Sequence, residues 1–375
     1  MKIAIVGTQG VPNQYGGFET LASFLAEHLS DQTEMTIYCS SKDMPNGQHH
    51  FYKASLRYIK ISSHGFAGML YDMICLYEAV KKNEVVLFLG FGAGYLMPFL
   101  TKRQKSKIIL NFGGLDWKRD KWSWLAKKII YFSERLLVKN SGHIVADNAA
   151  IEKYVEAAYH KKSSLIAYGG DQAFTVNFSE LDFEKFPFLE QPYAFSVCRI
   201  QPDNQIELLL SSFEQTKIPF VMVGNWEGSS FGRKIRKKYE HNEHLFLLDA
   251  IYDPTTLNKL RSNCRLYMHG HSSGGTNPSL VEAMYLGLPI AAFASGYNEI
   301  VTLHKALYFK DNTSLIDLIN KIDTFNLKGI GEDMKAIATQ NFTWDKITAQ
   351  YYQLFLEVNK VNNNGQIKTG NNWLR

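Results

Sequence analysis

Apolar runs of strand length alternate with segments of helical periodicity from the first residues of the chain onward. Several of these runs contain no alternating polar positions, which is typical of a parallel sheet covered on both faces. The pattern predicts strands at residues 2–8, 35–40, 85–90, 107–112, 143–146 and 165–168, with helices at 19–29, 70–81, 123–138 and 150–158. Repeated strand–helix units predict a doubly wound α/β domain.

The pattern pauses between residues 171 and 192, where we predict a linker, and a second series then begins. It predicts strands at 193–199, 220–224, 245–248, 266–269, 289–293 and 306–309. We therefore predict two Rossmann-like domains, residues 1–172 and 190–344, facing each other across a cleft. A final helix at about 345–360 can pack back on the first domain, and the polar residues 361–375 predict a flexible tail.

Composition supports two globular domains, since 45% of the 375 residues are apolar and 21% are charged. The N-terminus lacks the pattern of a secretory signal, and no apolar stretch reaches the roughly 18 residues of a membrane span. The four cysteines are far apart and lack metal-ligand spacing, so they are interpreted as reduced packing residues. We therefore predict a cytoplasmic protein.

The net charge of +5 is unevenly spread, because residues 102–139 hold eleven basic side chains and only three acidic ones. Aromatic and basic residues interleave there, notably Trp117, Lys118, Arg119, Lys121 and Trp122. This combination predicts peripheral contact with an anionic membrane, at the inner face of the plasma membrane, or with a phosphate-bearing acceptor. A core-facing helix with a solvated lysine face is the alternative, and we predict no nucleic-acid partner.

The most informative stretch is a glycine-bearing loop after the strand that ends at His269. It runs through His271 and continues as Gly274-Gly275-Thr276-Asn277-Pro278-Ser279. Pro278 stands where a first-turn proline starts a helix, and the free amides and positive dipole end of that helix suit a diphosphate. An ordinary capped helix with a surface Glu282 is the alternative.

The sequence from Gly274 to Met284, with Gly287-Leu288-Pro289 after it, resembles the donor-binding segment of glycosyltransferase family 4 enzymes of GT-B fold. The early segments 7–12 and 15–20 resemble the branch that contains bacterial rhamnosyltransferases of surface-polysaccharide synthesis. The resemblance covers nearly the whole chain. It implies a retaining sugar transfer from a nucleotide-sugar, which acts as a co-substrate.

The resemblance also implies roles for single residues. Glu282 would bind the ribose hydroxyls of the nucleoside, whereas the second glutamate that the family carries eight positions earlier is replaced by Gly274. Arg199 would neutralise the leaving diphosphate with its charged fork. Relatives often place a lysine five residues after this arginine, and this chain has Asn204.

Further donor-binding residues are expected at the ends of other strands. The resemblance places Gly224 and Asn225 beside the nucleotide and Ile251 near its base, while Gly16 and Gly17 face the cleft from the first domain. Segment 7–10 lacks the G-x-G-x-x-G spacing, which disfavours a nicotinamide enzyme.

Asp116 is the only carboxylate in the loop at 111–119, where relatives often carry a histidine. We predict that it contacts donor or acceptor hydroxyls, and that it and Arg199 are the catalytic residues. Helix capping or pairing with Arg119 would explain Asp116 equally well.

The chain contains no Asp-x-Asp triplet, so we predict a reaction independent of metals and cofactors. The expected reaction moves L-rhamnose from dTDP-rhamnose onto a lipid-diphosphate-linked saccharide. The alternatives are a transferase that uses a UDP- or GDP-sugar, a GT-B-like sugar-nucleotide epimerase and a catalytically silent binding module.

Overall fold

The computed structural model describes residues 1–12, 16–44, 47–119 and 122–370, with the backbone alone from residue 364 onward. The chain divides into two compact units. The first unit comprises Met1–Trp117, Trp124–Ala167 and the chain from Trp344 onward, and the second comprises Lys118–Ser123 and Tyr168–Thr343. The second unit thus starts earlier than the predicted linker, and it includes a short segment that the sequence pattern had placed in the first domain.

The first unit is built on an eight-stranded sheet in the order β3-β4-β2-β1-β5-β6-β7-β8. Its strands are β1 (Lys2–Val6), β2 (Glu34–Ser40), β3 (His50–Phe51), β4 (Ala54–Ile59), β5 (Val85–Leu89), β6 (Ile108–Phe112), β7 (His143–Ala146) and β8 (Ser164–Leu165). All pairs are parallel except the short hairpin of β3 with β4. Every residue of β5 and β6 is buried, as expected for central strands covered on both faces.

The first unit covers its sheet with helices, and in the longer ones the buried residues recur at helical spacing. They are α1 (Gly17–Leu29), α2 (Gly65–Lys82), α3 (Lys102–Ser106), α4 (Trp124–Asn140) and α5 (Ala149–Tyr159). In α2, for example, the side chains of Tyr71, Cys75, Leu76 and Ala79 are buried.

The second unit contains a six-stranded, fully parallel sheet in the order β11-β10-β9-β12-β13-β14. Its strands are β9 (Ala194–Val197), β10 (Phe220–Val223), β11 (Leu245–Leu248), β12 (Leu266–His269), β13 (Ile290–Phe293) and β14 (Leu307–Phe309). Its helices are α6 (Glu180–Lys185), α7 (Ile206–Phe213), α8 (Ser230–Tyr239), α9 (Pro254–Ser262), α10 (Pro278–Tyr285), α11 (Tyr297–Val301), α12 (Asn312–Asn320) and α13 (Leu327–Asn341). The doubly wound α/β class predicted from the sequence is confirmed.

The final helix, α14 (Trp344–Gly370), belongs to the first unit. The indole of Trp344 stacks on Phe24 of α1, with ring centroids 4.2 Å apart and planes 9° apart. Deeper in the unit, Asn111 of β6 donates its side-chain amide to the Tyr351 hydroxyl at 2.6 Å. The helix continues to Gly370, ten residues into the range predicted as a tail, since no proline stops it. Residues 371–375 lie outside the described part of the chain.

Candidate functional site

The sheet of the second unit has one topological switch point, between the neighbouring strands β9 and β12. The chain leaves β9 toward β10 on one side of the sheet, and it continues from β12 toward β13 on the other. Open α/β sheets bind ligands in the crevice at the carboxyl ends of the strands at such a point. Arg199 follows β9 and His271 follows β12, so the structure brings these two predicted residues to the same crevice.

The loop after β12 leads directly into α10, whose first residue is Pro278. Asn277 precedes the helix, and within the part of the chain that the structure describes no side chain caps α10. Gly275 and Thr276 are buried, while Ser279 in the first turn is half-buried. The first turn therefore keeps its positive dipole end at the carboxyl edge of β12, which suits an anionic group.

Gly274 has a φ of +124°, a backbone conformation that side chains rarely adopt. A Cβ added there would have room, because the nearest atom is the Asn277 Oδ1 at 3.5 Å. The obstacle to a glutamate at this position is therefore backbone strain and not crowding. A glutamate at this position, which the resemblance to family 4 implies for those enzymes, would therefore strain the backbone here.

Glu282 lies one turn into α10 and is tied to two side chains that sequence reasoning missed. Its Oε1 accepts a hydrogen bond of 2.6 Å from the Gln172 amide, and its Oε2 is paired with the guanidinium of Arg261 on α9. The Arg261 guanidinium also donates to Asn258 Oδ1 at 2.9 Å. Because a carboxylate oxygen accepts more than one hydrogen bond, Glu282 stays able to receive ribose hydroxyls in a fixed orientation.

Arg199 is exposed, whereas Asn204 is buried five residues further on. Asn204 donates its side-chain amide to the carbonyl of Arg199 at 2.6 Å. This hydrogen bond fixes the turn that carries Arg199, and the predicted donor-binding role of Asn204 stays a prediction. This turn is joined to the loop after β12, because the Asp203 carbonyl accepts hydrogen bonds of 2.9 Å from both the amide and the hydroxyl of Ser272.

Two histidine rings stack at the carboxyl end of β12. The rings of His269 and His271 are 4.3 Å apart and 8° from parallel. Burial lowers the pKa of His269 to about 3. Burial also holds the pKa of His271 well below its usual value, with further depression from His269, Arg199 and Arg119. His271 is therefore neutral at neutral pH, with one ring nitrogen able to donate a hydrogen bond.

The remaining predicted residues of the second unit follow β10 and β11 at the same sheet edge. Position 224 requires glycine because of close packing, since a Cβ added there would lie 2.5 Å from the Ile200 side chain. Asn225 is exposed and Ile251 is half-buried. The buried indole of Trp226 donates to the carbonyl at the end of β11 at 2.9 Å, which joins the two strand ends.

The other predicted residues of the site belong to the first unit. Gly16 precedes α1 and its carbonyl accepts the Thr20 hydroxyl at 2.8 Å, while Gly17 is the first residue of that helix. Asp116 is half-buried and begins a short 3₁₀ turn, with its amide donating to the Gly114 carbonyl at 3.1 Å. The catalytic role of Asp116 stays a prediction.

The residues predicted to touch membrane or acceptor differ in exposure where the structure describes them, and their contact with membrane or acceptor stays a prediction. Lys118 is exposed, but Trp117 is half-buried against the ring of Tyr131 at 5.1 Å, and Trp122 is also half-buried. Arg119 lies in the second unit, with only 14% of its side chain exposed. Lys121 lies outside the described residues. The alternation of aromatic and basic residues in the sequence therefore did not show which aromatic rings are packed and which are exposed.

A more exposed apolar surface lies on α2, α4 and the 3₁₀ helix at Gly94–Phe99, and in the first unit this 3₁₀ helix packs against both α2 and α4. We call it the aromatic surface, and its exposed side chains are Phe66, Leu70, Ile74, Tyr77, Tyr95, Phe99, Trp124, Leu125 and Phe132. Phe99 is 83% exposed and Phe66 is 72% exposed. The Tyr95 hydroxyl donates to the Ile129 carbonyl at 3.1 Å and so links the 3₁₀ helix to α4.

Among the described residues, no group of three or more His, Cys, Asp or Glu side chains is placed to hold a metal ion. Across the same residues, no helix has both the length and the apolar character needed to cross a membrane. All four cysteines are free and buried.

Comparison with known proteins divides the chain in nearly the same place. Residues 1–171 match a family model described as "Domain of unknown function (DUF1972)", and residues 177–340 match one described as "Glycosyl transferases group 1". A relative from Methanocaldococcus jannaschii, described as "Uncharacterized glycosyltransferase MJ1069", is 22% identical over 389 residues, covering 95% of this chain and 98% of the relative.

Solved structures share the fold over nearly the whole chain. Sucrose-phosphate synthase (tll1590) from Thermosynechococcus elongatus has a TM-score of 0.77 at 16% identity, covering 95% of this chain and 98% of its own. Anabaena Alr3699/HepE in complex with UDP-glucose has a TM-score of 0.72 at 15% identity, covering 95% and 100%. α,α-Trehalose 6-phosphate synthase from Burkholderia multivorans has a TM-score of 0.73 at 9% identity, covering 97% and 98%. The fold is GT-B, and the group 1 model together with the relatives supports a glycosyltransferase.

Proposed function

We propose that this chain is a retaining glycosyltransferase that moves L-rhamnose from dTDP-rhamnose onto a lipid-diphosphate-linked saccharide during bacterial cell-surface polysaccharide synthesis. The observation that carries the proposal is the start of α10 at the switch point, which no described side chain caps and which stands at the same crevice as Arg199. Glu282, fixed by Arg261, supplies an acceptor for the ribose one turn further along.

In the proposed reaction the acceptor hydroxyl attacks the face of the sugar from which the diphosphate leaves. Negative charge then grows on the leaving phosphate, where the α10 amides and Arg199 stabilise it. Neutral His271 can donate a hydrogen bond from one ring nitrogen while the other nitrogen can accept one. The proposal needs no protein nucleophile and no metal ion, so activity should survive EDTA. Loss of turnover that Mg²⁺ or Mn²⁺ restores would contradict it.

The choice of donor sugar rests on Gly274. Without a carboxylate at this position, sugar hydroxyls would be bound by the backbone of residues 275–279, which suits a deoxy sugar with one hydroxyl fewer. A UDP-glucose donor is the second candidate, because Anabaena Alr3699/HepE, which has the same fold, was solved in complex with UDP-glucose.

A donor screen by product mass tests the proposal. The protein is incubated with dTDP-rhamnose, UDP-glucose and GDP-mannose, with and without membrane lipid extract. We expect donor hydrolysis or transfer with dTDP-rhamnose and its loss in Arg199→Gln, whereas Lys237→Gln, which removes an exposed charge on α8, should match the wild type. If UDP-glucose were turned over and dTDP-rhamnose were not, UDP-glucose would replace dTDP-rhamnose as the proposed donor. An isomerised donor without transfer, or binding without turnover, would overturn the proposed function.

We further propose that the aromatic surface holds the enzyme at the inner face of the plasma membrane. Exposed rings beside lysines suit the interface of an anionic bilayer, and the Lys128 ammonium lies 4.8 Å from the Trp124 ring centroid. Sedimentation with phosphatidylglycerol vesicles should show binding that Phe99→Ser and Trp124→Ser weaken. Phe174→Ser, at an exposed aromatic of the second unit, is the control. Equal binding by all variants, or no binding at physiological salt, would refute this placement.

A further inference from the structure

The sheet of the first unit has its own topological switch point, between the neighbouring strands β1 and β5. The chain leaves β1 toward β2 on one side of the sheet, and it continues from β5 toward β6 on the other. Helix α2 packs on both strands, and the Tyr71 hydroxyl donates to the Thr8 carbonyl, just after β1, at 3.1 Å. This part of α2 therefore lies at the carboxyl ends of the two strands, where open α/β sheets bind ligands.

Asp72, the next residue of α2, stands where the helical pattern predicts an apolar side chain. Gly68 and Leu76, one turn before it and one turn after it, are both buried. The Asp72 side chain is half-buried, and burial raises the pKa of its carboxyl to about 8, so the group is mostly protonated at neutral pH. The side of α2 that covers the sheet thus carries a neutral carboxyl close to the switch point.

Gly92, in the loop after β5, leaves the space that this carboxyl occupies. A Cβ added at Gly92 would lie 2.0 Å from Oδ2 of Asp72, and its three nearest atoms would all belong to the Asp72 side chain. Gly90, two residues earlier, has a φ of +100°, whereas the φ of Gly92 lies outside the left-handed region and does not require a glycine. The carboxyl of Asp72 is therefore what explains the missing side chain at position 92.

The Asp72 carboxyl forms no hydrogen bond or ion pair with the part of the chain that the structure describes, and its pKa is raised by burial alone. A polar group that gives up hydrogen bonds to water without replacing them costs free energy. Ionisable groups with shifted pKa values in a crevice are candidates for functional sites. A ligand hydroxyl at the switch point would supply the partner that the fold does not.

We propose that Asp72, in the space that Gly92 leaves, is an acceptor-binding residue whose carboxyl exchanges hydrogen bonds with a hydroxyl of the saccharide acceptor. This inference rests on the proposed function, because it assigns a residue to the acceptor of that reaction. A protonated carboxyl offers one O–H donor and further acceptor positions, and a sugar hydroxyl also donates and accepts. The same helix carries Leu70 and Ile74 of the aromatic surface, so α2 would serve both the membrane and the head group of a lipid-linked acceptor.

The test is sugar transfer from dTDP-rhamnose or UDP-glucose at increasing amounts of membrane lipid extract. Asp72→Ala should raise the amount of extract that gives half the maximal rate about 3- to 10-fold, the usual value of one hydrogen bond between neutral groups. The maximal rate should stay unchanged. Asp72→Asn, whose amide still donates and accepts, should keep most of the affinity for the acceptor. Glu156→Ala, which removes an exposed carboxylate on α5 of the same unit, is the control.

A purely structural role for Asp72 predicts a different result. Asp72→Ala would then lower the melting temperature and the maximal rate together and leave the half-saturating amount of extract unchanged. If Asp72 binds the acceptor, its removal should leave the melting temperature equal or higher, because a carboxyl without a protein partner is lost. The structural pattern would overturn the inference.

Gly92→Ala tests the same geometry from the loop after β5. Its Cβ should displace the Asp72 carboxyl and raise the half-saturating amount of extract as Asp72→Ala does. The double variant Gly92→Ala/Asp72→Ala should match Asp72→Ala, because the two changes remove one interaction. A further loss in the double variant would overturn the inference.

The result for the wild type separates this inference from the proposed function. Wild-type transfer to the extract that Asp72→Ala leaves unchanged at every amount of extract would overturn this inference alone. Absence of transfer by the wild type from any of the donors would overturn the proposed function and this inference with it.

Discussion

Glu282 has two roles that a single substitution cannot separate, a structural one toward Arg261 and a predicted one toward ribose. Glu282→Ala would leave the Arg261 guanidinium, whose side chain is 4% exposed, without its carboxylate. Removing one partner of a buried pair costs about 3–5 kcal/mol. Because the Glu282 side chain is 18% exposed and Asn258 still accepts from Arg261, we expect the lower end of this range, about 3 kcal/mol.

A paired apolar replacement should separate the two roles. The double variant Arg261→Met/Glu282→Leu removes both charges together, and such replacements are often neutral or stabilising. We expect it to unfold in urea close to the wild type, while Glu282→Ala unfolds earlier. Both variants should bind pyrophosphate at the α10 terminus, and both should lose affinity for dTDP because the ribose acceptor is gone.

Titration calorimetry and urea unfolding followed by tryptophan fluorescence measure the two effects independently. Wild-type dTDP affinity in the double variant would refute the ribose role of Glu282. Unchanged unfolding of Glu282→Ala would refute the energetic importance of the pair with Arg261.

Three further predictions concern single positions. Gly274→Ala and Gly274→Glu should lose the same stability in thermal unfolding, about 1–3 kcal/mol, since the cost comes from the positive φ and not from side-chain size; a much larger loss for glutamate would contradict this. Burial raises the pKa of Asp72 from 3.8 to about 8, so this carboxyl stays protonated in the fold while the unfolded chain has lost its proton, and wild-type stability should fall as the pH rises from about 4 to 8. Asp72→Asn should therefore gain more in urea midpoint at pH 8 than at pH 5, and an equal gain at both would show an ordinary pKa. Trp344→Ala should cost about 3–5 kcal/mol by emptying its stack with Phe24, whereas Trp124→Ala, at a ring that is 69% exposed, should stay within about 0.5 kcal/mol.

Much of the fold could be predicted from the sequence because strands of a buried parallel sheet have continuous runs of apolar residues. The predictions of 143–146, 245–248 and 266–269 agree with β7, β11 and β12 at both ends, and most other predicted strands differ from the structure by one or two residues. Two strands were missed, β3 and β4, which lie at the edge of the sheet. Ser55 and Arg57 of β4 are exposed, so a half-solvated strand does not show the apolar run on which the prediction relied.

The site was harder to read because spatial neighbours there are distant in sequence. A strand end and a helix start are local features, so the Gly275–Ser279 segment was visible from its residue types alone. The burial of Arg261 could not be predicted, because the sequence around an arginine on a helix does not show whether its side chain is buried or exposed. Arg119 lies in the second unit, although the basic residues around it in the sequence suggested a surface patch of the first domain, and its contact with membrane or acceptor stays a prediction.

The stacking of Trp344 on Phe24 has a consequence for the order in which the protein is made. The first unit takes its final helix from the last part of the chain, after the second unit has ended at Thr343. Domains generally fold as units while synthesis proceeds from the N-terminus. Here the unit that begins the chain must wait on the ribosome for its last helix, so it is the second to be completed, and a prematurely terminated chain would leave the apolar side of α1 uncovered.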